Sequence, residues 1–342
     1  MHRFFKFIIS SFLIFFLVLT LIVLNSSFEL SKSIGKSANY LIKTIYQAST
    51  KNPYLSQDKI NFIVLGLDER NDSLEVTQTT DTIMFVSLNL KTLKINTISL
   101  PRDLWSYNIN AKINQIYPLS LKESDKFAYI KDNFKFITGQ NIDHILVVNT
   151  NNLINFVKLI GGVDLNLDIG FVDKKYPNPD YIASPSASIP IYKTIEFQAG
   201  QLHLDESNIT EFVRSRHGGE TAAQGGTDIG RIHRQQLLLE AIISKIKSNS
   251  FIPNKDQLLG LYKLWDQEII KDINDTQVFQ IFSAFNSGLS NLSLNKIEIK
   301  IGDSQKDNFI YHPIKFINSQ WVYLPSDEKY QSLQKFIQES IN

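Results

Sequence analysis

The stretch INFIVLGL, residues 60–67, is a short apolar run that predicts a buried β-strand. Two further runs follow it: TIMFVSLNL at 82–90 and LKINTISL at 93–100. Both predict strands, and Lys91-Thr92 predicts the turn between them. Further apolar runs and helical patterns alternate along the rest of the chain. The sequence therefore indicates a folded protein built from both strands and helices.

Charged residues stand at the ends of these three strands. Asp68 and Arg70 follow the first strand, Asp81 precedes the second, and Arg102-Asp103 follows the third. Rigid strands position such side chains and loops expose them, so together they predict a functional site. Any one of them alone is more often a turn residue or a surface charge.

The segment FVRSRHGGETAAQGGTDIGRIHRQQLLLE, residues 212–240, concentrates positive charge around a Gly-rich loop at 218–226. Thr227-Asp228 predicts the start of a helix that runs to about residue 246. In that helix Arg231 and Gln235 share one face, with Arg234 beside them.

Two more guanidinium groups come from Arg214 and Arg216, before the loop. If that arm is extended, their spacing of two points both side chains the same way. Arginine side chains beside a helix N-terminus suit a polyanion such as a diphosphate. The alternative is a solvated basic face with surface ion pairs.

Composition excludes several classes of function. The 342 residues include 35 Lys and Arg against 34 Asp and Glu, a net charge of +1, so there is no broad basic footprint for nucleic acid. The chain has no cysteine, which excludes disulfides, thiolate metal sites and a cysteine nucleophile.

The N-terminus carries an apolar run at 7–24. Eighteen residues in a helix extend roughly 27 Å, enough to span a bilayer. Arg3 and Lys6 precede the run, so we predict a single-pass anchor in the plasma membrane, with a cytoplasmic tail at 1–6. The rest of the chain then lies outside the cytoplasm, beginning with a stalk at 25–58. A cleaved signal peptide is the competing interpretation, but no convincing cleavage site follows the run.

A set of short motifs occurs in order along the chain. They are Gly66-Leu67-Asp68-Glu69-Arg70, Thr80-Asp81-Thr82, Pro101-Arg102-Asp103, Lys112-Ile113-Asn114, Gly161-Gly162-Val163, Arg214-Ser215-Arg216-His217, Asp228-Ile229-Gly230-Arg231 and Arg234-Gln235-Gln236. Individually they are weak, but in this order the chain resembles the LytR-CpsA-Psr (LCP) family of bacterial cell-envelope enzymes over roughly residues 60–250. Thr80 stands where the family commonly has serine, and the Gly-rich loop is longer than usual.

The resemblance implies an α/β (α+β mixed) fold, with a central mixed β-sheet flanked by helices and an apolar groove for a polyprenyl chain. It also implies a transferase that moves a glycopolymer from a polyprenyl diphosphate carrier to a peptidoglycan hydroxyl, forming a phosphodiester. We accordingly assign residues 59–250 to a catalytic domain and expect residues 251–342, two helices, a strand and a closing helix, to pack on it.

The resemblance also implies roles for individual residues. Asp68 and Asp81 match the acidic residues linked to magnesium, and manganese is an alternative metal. The diphosphate-binding positions are Arg102, Arg214, Arg216, Arg231 and Gln235, and we add Arg70 and Lys112. Asp228 and Arg234 are supporting residues. The catalytic residues are then Asp81, Arg102 and Asp68, with Asp81 as the candidate general base.

Two other functions fit the same residues. A non-catalytic regulator that binds polyprenyl diphosphates would use the arginines without needing both aspartates. A hydrolase would use water as the acceptor, since water and a sugar hydroxyl need the same activation.

Overall fold

A computed structural model describes most of the chain after residue 52. The described ranges are 52–67, 79–215, 254–283, 293–302, 309–313, 317–318 and 320–342, with shorter pieces at 40, 43–44, 46–47, 50, 234, 237–238, 240–242, 244–245 and 304. Among these residues no helix has the length and apolar character needed to cross a bilayer. The predicted anchor at 7–24 lies outside the described residues.

The strands are short and fall into several sheets. They are β1 (Lys59–Leu67), β2 (Thr80–Asn89), β3 (Lys94–Leu100), β4 (Trp105–Ser106), β5 (Ala111–Lys112), β6 (His144–Asn149), β7 (Val163–Leu167), β8 (Phe171–Pro177), β9 (Tyr192–Phe197), β10 (Gly200–Leu204), β11 (Ile270–Lys271), β12 (Ser293–Ile297), β13 (Ile301–Gly302), β14 (Ile310–Tyr311) and β15 (Leu324–Pro325).

Six of these strands form the main sheet, in the order β11-β6-β1-β2-β3-β12. The neighbours β1–β2, β2–β3 and β6–β11 are antiparallel, whereas β1–β6 and β3–β12 are parallel. The sheet is therefore mixed. Both of its edges are strands from beyond residue 254.

The helices cover both faces of this sheet. They are α1 (Ile116–Ser120), α2 (Lys126–Thr138), α3 (Thr150–Leu159), α4 (Pro179–Ala183), α5 (Ile209–Arg214), α6 (Lys255–Lys263), α7 (Asp275–Ser283) and α8 (Gln331–Ile341). Short 3-10 turns lie at Pro53–Ser56 and Ile113–Gln115, and a π-helical turn lies at Leu264–Glu268. Helical residues also occur between 234 and 245, and we call this segment the arginine helix.

Alternate side chains of the central strands enter two separate cores. In β1, Phe62 and Val64 pack with α3, α6 and the arginine helix. Ile63 and Leu65 point the other way and pack with α2 and α8. Side chains alternate along a strand, so a sheet covered on both faces must be apolar at successive positions. This explains why INFIVLGL is a continuous apolar run.

The segment 173–190 contains Pro177, Pro179, Pro185 and Pro190, a pattern that predicts an exposed loop. In the structure β8 continues to Pro177 and pairs with β9, and α4 follows. Tyr176 and Asp173 of β8 are buried. The loop prediction is wrong for this half, because alternate residues of β8 pack inward although the prolines that follow are exposed.

Candidate functional site

Three of the sequence motifs meet at one end of the central strands of the main sheet. Because β2 runs antiparallel to β1 and β3, its first residues lie beside the last residues of both neighbours, with Leu67 paired to Thr80 and Leu100 paired to Ile83. Asp81 in β2 and Arg102, just after β3, therefore face each other across neighbouring strands. The structure thus brings together two of the charged residues that stand at strand ends, and their role in a functional site stays a prediction.

Four side chains of alternating charge form a continuous network here. Arg102 donates from Nη1 to Asp81 Oδ1 at 2.5 Å and from Nε to Asp103 Oδ2 at 3.4 Å. Lys112 Nζ donates to the other oxygen of Asp103 at 2.7 Å. Each of the four side chains retains between 14% and 25% of its exposure, so the network is half-buried and can be reached by a ligand. We call it the charged network.

Arg102 keeps its charge in this environment. Burial alone would lower the pKa of the guanidinium, but the carboxylates of Asp81 and Asp103 outweigh burial and raise the pKa above its ordinary value. A permanent, fork-shaped cation of this kind is suited to phosphate oxygens.

Backbone hydrogen bonds hold the three motifs together. The Asn114 N–H donates to the Arg102 carbonyl at 3.2 Å, and the Thr80 hydroxyl donates to the Asn114 carbonyl at 3.4 Å. Thr80 is fully buried. Either serine or threonine supplies the hydroxyl for this bond, so the departure from the family pattern at this position keeps the contact.

Asp103 is a member of the network that the sequence left without a role. It bridges Arg102 and Lys112, and its own carbonyl accepts the Tyr323 N–H at 2.8 Å. Its place after the third strand was the available signal. Its partner Tyr323 lies far away in the sequence, in the C-terminal segment, so no sequence pattern indicated this contact.

A second polar cluster lies next to the Arg214-Ser215-Arg216 motif. The Ser215 hydroxyl donates to Asp173 Oδ2 at 2.7 Å, and both side chains are almost fully buried. Asp173 also accepts the Lys175 N–H at 2.9 Å. Nothing in the sequence singled out Asp173, whose partner is 42 residues away. Its contact fixes the residue between the two arginines.

Arg234 is buried, although the sequence placed it beside a polyanion site. It is 2% exposed, and it donates from Nε to the Phe212 carbonyl and from Nη2 to the Ser215 carbonyl at 3.0 and 2.6 Å. Its guanidinium lies 4.0 Å from the ring centre of Phe171. Arg234 thus ties the arginine helix to the end of α5 and to β8.

Arg214 is exposed and ends α5. The condition of an extended arm is not met at this residue, because Ile209, Phe212 and Val213 are buried at helical spacing. The alternation that would point Arg214 and Arg216 the same way does not apply to a helix end.

The arginine helix is also held at its other end. Lys245 donates from Nζ to the carbonyls of Gly161 and Gly162 at 2.8 and 2.5 Å. Both glycines have positive φ, and a Cβ on Gly162 would lie 2.4 Å from the His203 ring. Glycine is therefore required at this turn, and the Gly161-Gly162 motif has a structural role.

Several predicted site residues lie outside the described residues. They are Asp68, Arg70, Arg216, Asp228, Arg231 and Gln235. Among the described residues no group of three or more His, Cys, Asp or Glu side chains is arranged to hold a metal ion. The predicted metal site pairs Asp81 with Asp68, and only Asp81 of this pair is described.

Comparison with known proteins identifies the family. The model of the LytR_cpsA_psr family matches residues 24–335. The chain therefore belongs to this family, and the resemblance drawn from the motifs is confirmed. The match extends beyond the motif region on both sides and takes in most of residues 251–342.

The relatives and solved structures agree with this assignment. The polyisoprenyl-teichoic acid–peptidoglycan teichoic acid transferase TagU of Oceanobacillus iheyensis is 24% identical over 285 residues, 81% of this chain and 74% of that protein. The crystal structure of B. subtilis TagV has a TM-score of 0.54 at 18% identity, covering 84% of this chain and 98% of that one. A structure of TagT bound to LIIa-WTA has a TM-score of 0.52 at 17% identity, covering 86% and 95%. At these identities the structural likeness shows the fold, a mixed sheet flanked by helices.

Proposed function

We propose that this protein is a phosphotransferase that moves a glycopolymer from a polyprenyl diphosphate carrier to a hydroxyl of peptidoglycan. Family membership supports the class, and the name of the TagU relative states a transfer of teichoic acid to peptidoglycan. The observation that carries the proposal is the direct contact of Asp81 with Arg102, because a carboxylate and a guanidinium then face one reacting group.

In this reaction the protein's contribution is to position the reactants and to stabilise charge. The acceptor hydroxyl oxygen attacks the phosphorus that carries the glycopolymer, and the bond from that phosphorus to the bridging oxygen breaks. Polyprenyl phosphate leaves, and a phosphodiester joins glycopolymer and acceptor. Arg102 stabilises the negative charge that develops on the phosphate oxygens. Arg214 and the predicted set Arg70, Arg216, Arg231 and Gln235 bind the rest of the diphosphate, with Lys112 close to Arg102.

Asp81 is the proposed general base. A carboxylate is an acceptor-only group, so it can take the proton of the attacking hydroxyl. Its place in β2 holds it firmly, and the exposed quarter of its side chain leaves room for a hydroxyl to approach. Asp103 keeps Arg102 and Lys112 oriented on the opposite side.

Magnesium is the proposed cofactor, with manganese as a substitute. Carboxylate oxygens are the ligands that magnesium prefers, so Asp81 together with Asp68 fits such an ion. When bound, the ion supplies charge stabilisation to the diphosphate oxygens.

The proposed setting is the outer face of the plasma membrane. The apolar run at 7–24 supplies the anchor in this proposal, and an apolar groove receives the polyprenyl chain. The carrier lipid lies in the same bilayer, so an anchored enzyme and its substrate would both diffuse in the plane of that membrane.

The proposal is tested with the full chain in detergent micelles. The protein is mixed with a polyprenyl diphosphate-linked saccharide, magnesium and peptidoglycan fragments, and the products are analysed by mass spectrometry. We expect a phosphodiester-linked product that disappears with a chelator and returns with magnesium or manganese. Free saccharide phosphate without linkage would indicate the hydrolase, and lipid binding without any turnover would indicate the regulator.

A further inference from the structure

A cleft of about 590 Å³ opens beside the charged network. Five side-chain amides line it: Asn110, Asn114, Gln115, Asn318 and Gln320. Trp105 and Lys112 also line it. We call this space the amide cleft. Its volume falls within the range of small-molecule binding sites.

The lining selects the kind of ligand. A side-chain amide both donates and accepts hydrogen bonds, and a sugar ring offers hydroxyls that do the same. No carboxylate is among the lining residues described, and the ammonium group of Lys112 is already bonded to Asp103. An anionic ligand would require more than this one cation, and a lipid chain would leave the five amides without hydrogen-bond partners. A neutral saccharide matches this lining better than either.

The amides on the rim are available to a ligand. Within the described part of the chain, the side chains of Asn110, Asn318 and Gln320 are exposed and make no hydrogen bond to protein. Asn110 and Asn318 have φ of 51° and 49°, a left-handed conformation that asparagine tolerates better than most residues. Each therefore presents its amide from a fixed turn.

The two walls of the cleft come from distant parts of the chain. Asn110, Asn114 and Gln115 follow the third strand, whereas Asn318 and Gln320 belong to a tight turn closed by the pairing of Ile317 with Gln320. A parallel bridge between Leu104 and Tyr323 joins the walls, and the Trp105 N–H donates to the Tyr323 carbonyl at 2.8 Å. The C-terminal segment is thus a structural part of this cleft.

Short contacts connect the cleft to the proposed reaction centre. Lys112 lines the cleft and binds Asp103, which binds Arg102. Asn114 lines it too, and its backbone contacts both Arg102 and Thr80, the residue before Asp81. A ring bound in the cleft would therefore lie on the Lys112 side of the charged network.

We propose that the amide cleft binds a neutral sugar ring of one of the two substrates, so that the reacting group lies at the charged network. The choice of substrate rests on the proposed function. The sugar comes either from the peptidoglycan acceptor or from the saccharide of the lipid-linked donor, since both offer the same hydroxyl chemistry.

The test removes amides and keeps the backbone. The triple variant Asn110→Gly/Asn318→Gly/Gln320→Ala places glycine, which adopts positive φ without strain, at the two left-handed positions. The matched control is Gln338→Ala, an exposed amide on α8. Saturation-transfer NMR on the full chain in detergent measures binding of an uncharged, N-acetylated peptidoglycan disaccharide and, separately, of the free donor saccharide. Steady-state transfer gives KM for each substrate.

Losing three hydrogen bonds should weaken binding of one saccharide by at least about tenfold and raise the matching KM by a similar factor, with kcat changing less. A rise in KM for the acceptor assigns the sugar to the acceptor, and a rise for the donor assigns it to the donor. A folded triple variant still binds a polyprenyl diphosphate without sugar, whereas an unfolded one does not.

Two failures can be told apart. If the wild-type protein forms linked product and the triple variant keeps both KM values and both NMR signals, the cleft proposal is overturned and the transferase stands. If the wild-type protein forms no product, the transferase fails, and the NMR comparison still decides whether the cleft binds sugar.

Discussion

Asp81 and Arg102 show how two residues 21 positions apart become one site. The antiparallel pairing of β2 with β3 sets their approach, and each side chain is half-buried. The sequence singled out both residues, because each stands at the end of an apolar strand, but it did not predict their contact. It could not predict that Asp103 bridges Arg102 and Lys112, because that role depends on the fold bringing Lys112 back beside the end of β3.

We expect Asp81→Asn to reduce transfer at least a hundredfold, because the amide is a far weaker proton acceptor and a poorer metal ligand. Binding of the lipid diphosphate should change only a few-fold, since the arginines remain. Single-turnover transfer and a separate binding assay measure the two effects. Asp58→Asn, the same change at an exposed residue paired with Lys91, is the control. A transfer rate within twofold of wild type would remove Asp81 from the mechanism.

We expect Arg102→Lys to lower kcat/KM for the donor by about a hundredfold, although it keeps the positive charge. Lysine cannot hold Asp81 and Asp103 at once or meet two phosphate oxygens with a planar fork. The measurement is kcat/KM for the lipid-linked donor, with Arg102→Ala as the more severe comparison. Wild-type kinetics in Arg102→Lys would show that only charge matters at this position.

At the scale of elements, the arginine-rich segment divides into structural and exposed members. Arg234 is buried and caps α5, whereas Arg214 ends α5 in the open. Charge and helical spacing predicted that the segment belongs to the site. They did not predict that Arg234 points inward, because its partners are backbone carbonyls and the ring of Phe171 in β8.

We expect Arg234→Lys to destabilise the protein by about 2–3 kcal/mol. The single ammonium of lysine would lose one of the buried, charge-assisted hydrogen bonds of Arg234, and it would also lose the stacking on Phe171. Chemical denaturation followed by tryptophan fluorescence gives the free energy of unfolding. Arg214→Lys is the same change at an exposed position of the same region. It should alter the free energy of unfolding by no more than about 0.5 kcal/mol, which is typical of a surface site. Equal losses in both variants would contradict the assignment.

The sequence predicted individual strands better than helix bounds. The runs at 60–67, 82–90 and 93–100 match β1, β2 and β3 within two residues. The amphipathic pattern at about 120–137 predicts one helix, which is α2, but α2 begins only at Lys126, after a turn at 121–125 that separates it from the short α1. The apolar pattern at 296–301 predicts a strand, but β12 spans Ser293–Ile297, because pairing with β3 fixes its register. Pairing partners this far apart leave no local pattern to detect.

At the scale of the whole molecule, a buried ionic cluster joins β11 to the start of β6. Asp272 accepts the Ile145 N–H at 2.6 Å, and Lys131 of α2 binds its other oxygen at 2.5 Å. Burial raises the pKa of Asp272, but His144, the Ile145 N–H and Lys131 together lower it below its ordinary value. Three distant parts of the chain thus meet at one carboxylate.

This cluster should make stability fall in acid. Because the pKa of Asp272 is lower in the folded state, its contribution is present above about pH 4, the unfolded value, and is lost as pH falls through the folded value. We expect Asp272→Asn to lower Tm at pH 7 and to flatten the decline of Tm between pH 5 and 3. Calorimetry across that range measures both. Asp125→Asn, which changes an exposed helix cap on α2, should keep the wild-type pH slope. A parallel decline in Asp272→Asn would refute the linkage.

The edges of the main sheet have a consequence for how the chain is made. Both edge strands, β11 and β12, begin at or beyond residue 270, whereas the four strands between them are complete by residue 149. Until a ribosome has synthesised β11, β6 has no outer partner, and until it has synthesised β12, β3 has none. Unpaired edges of this kind invite pairing with another chain. The order of synthesis therefore leaves the half-made protein open to aggregation on both sides, and a chaperone that covers strand edges would help it most before residue 297 emerges.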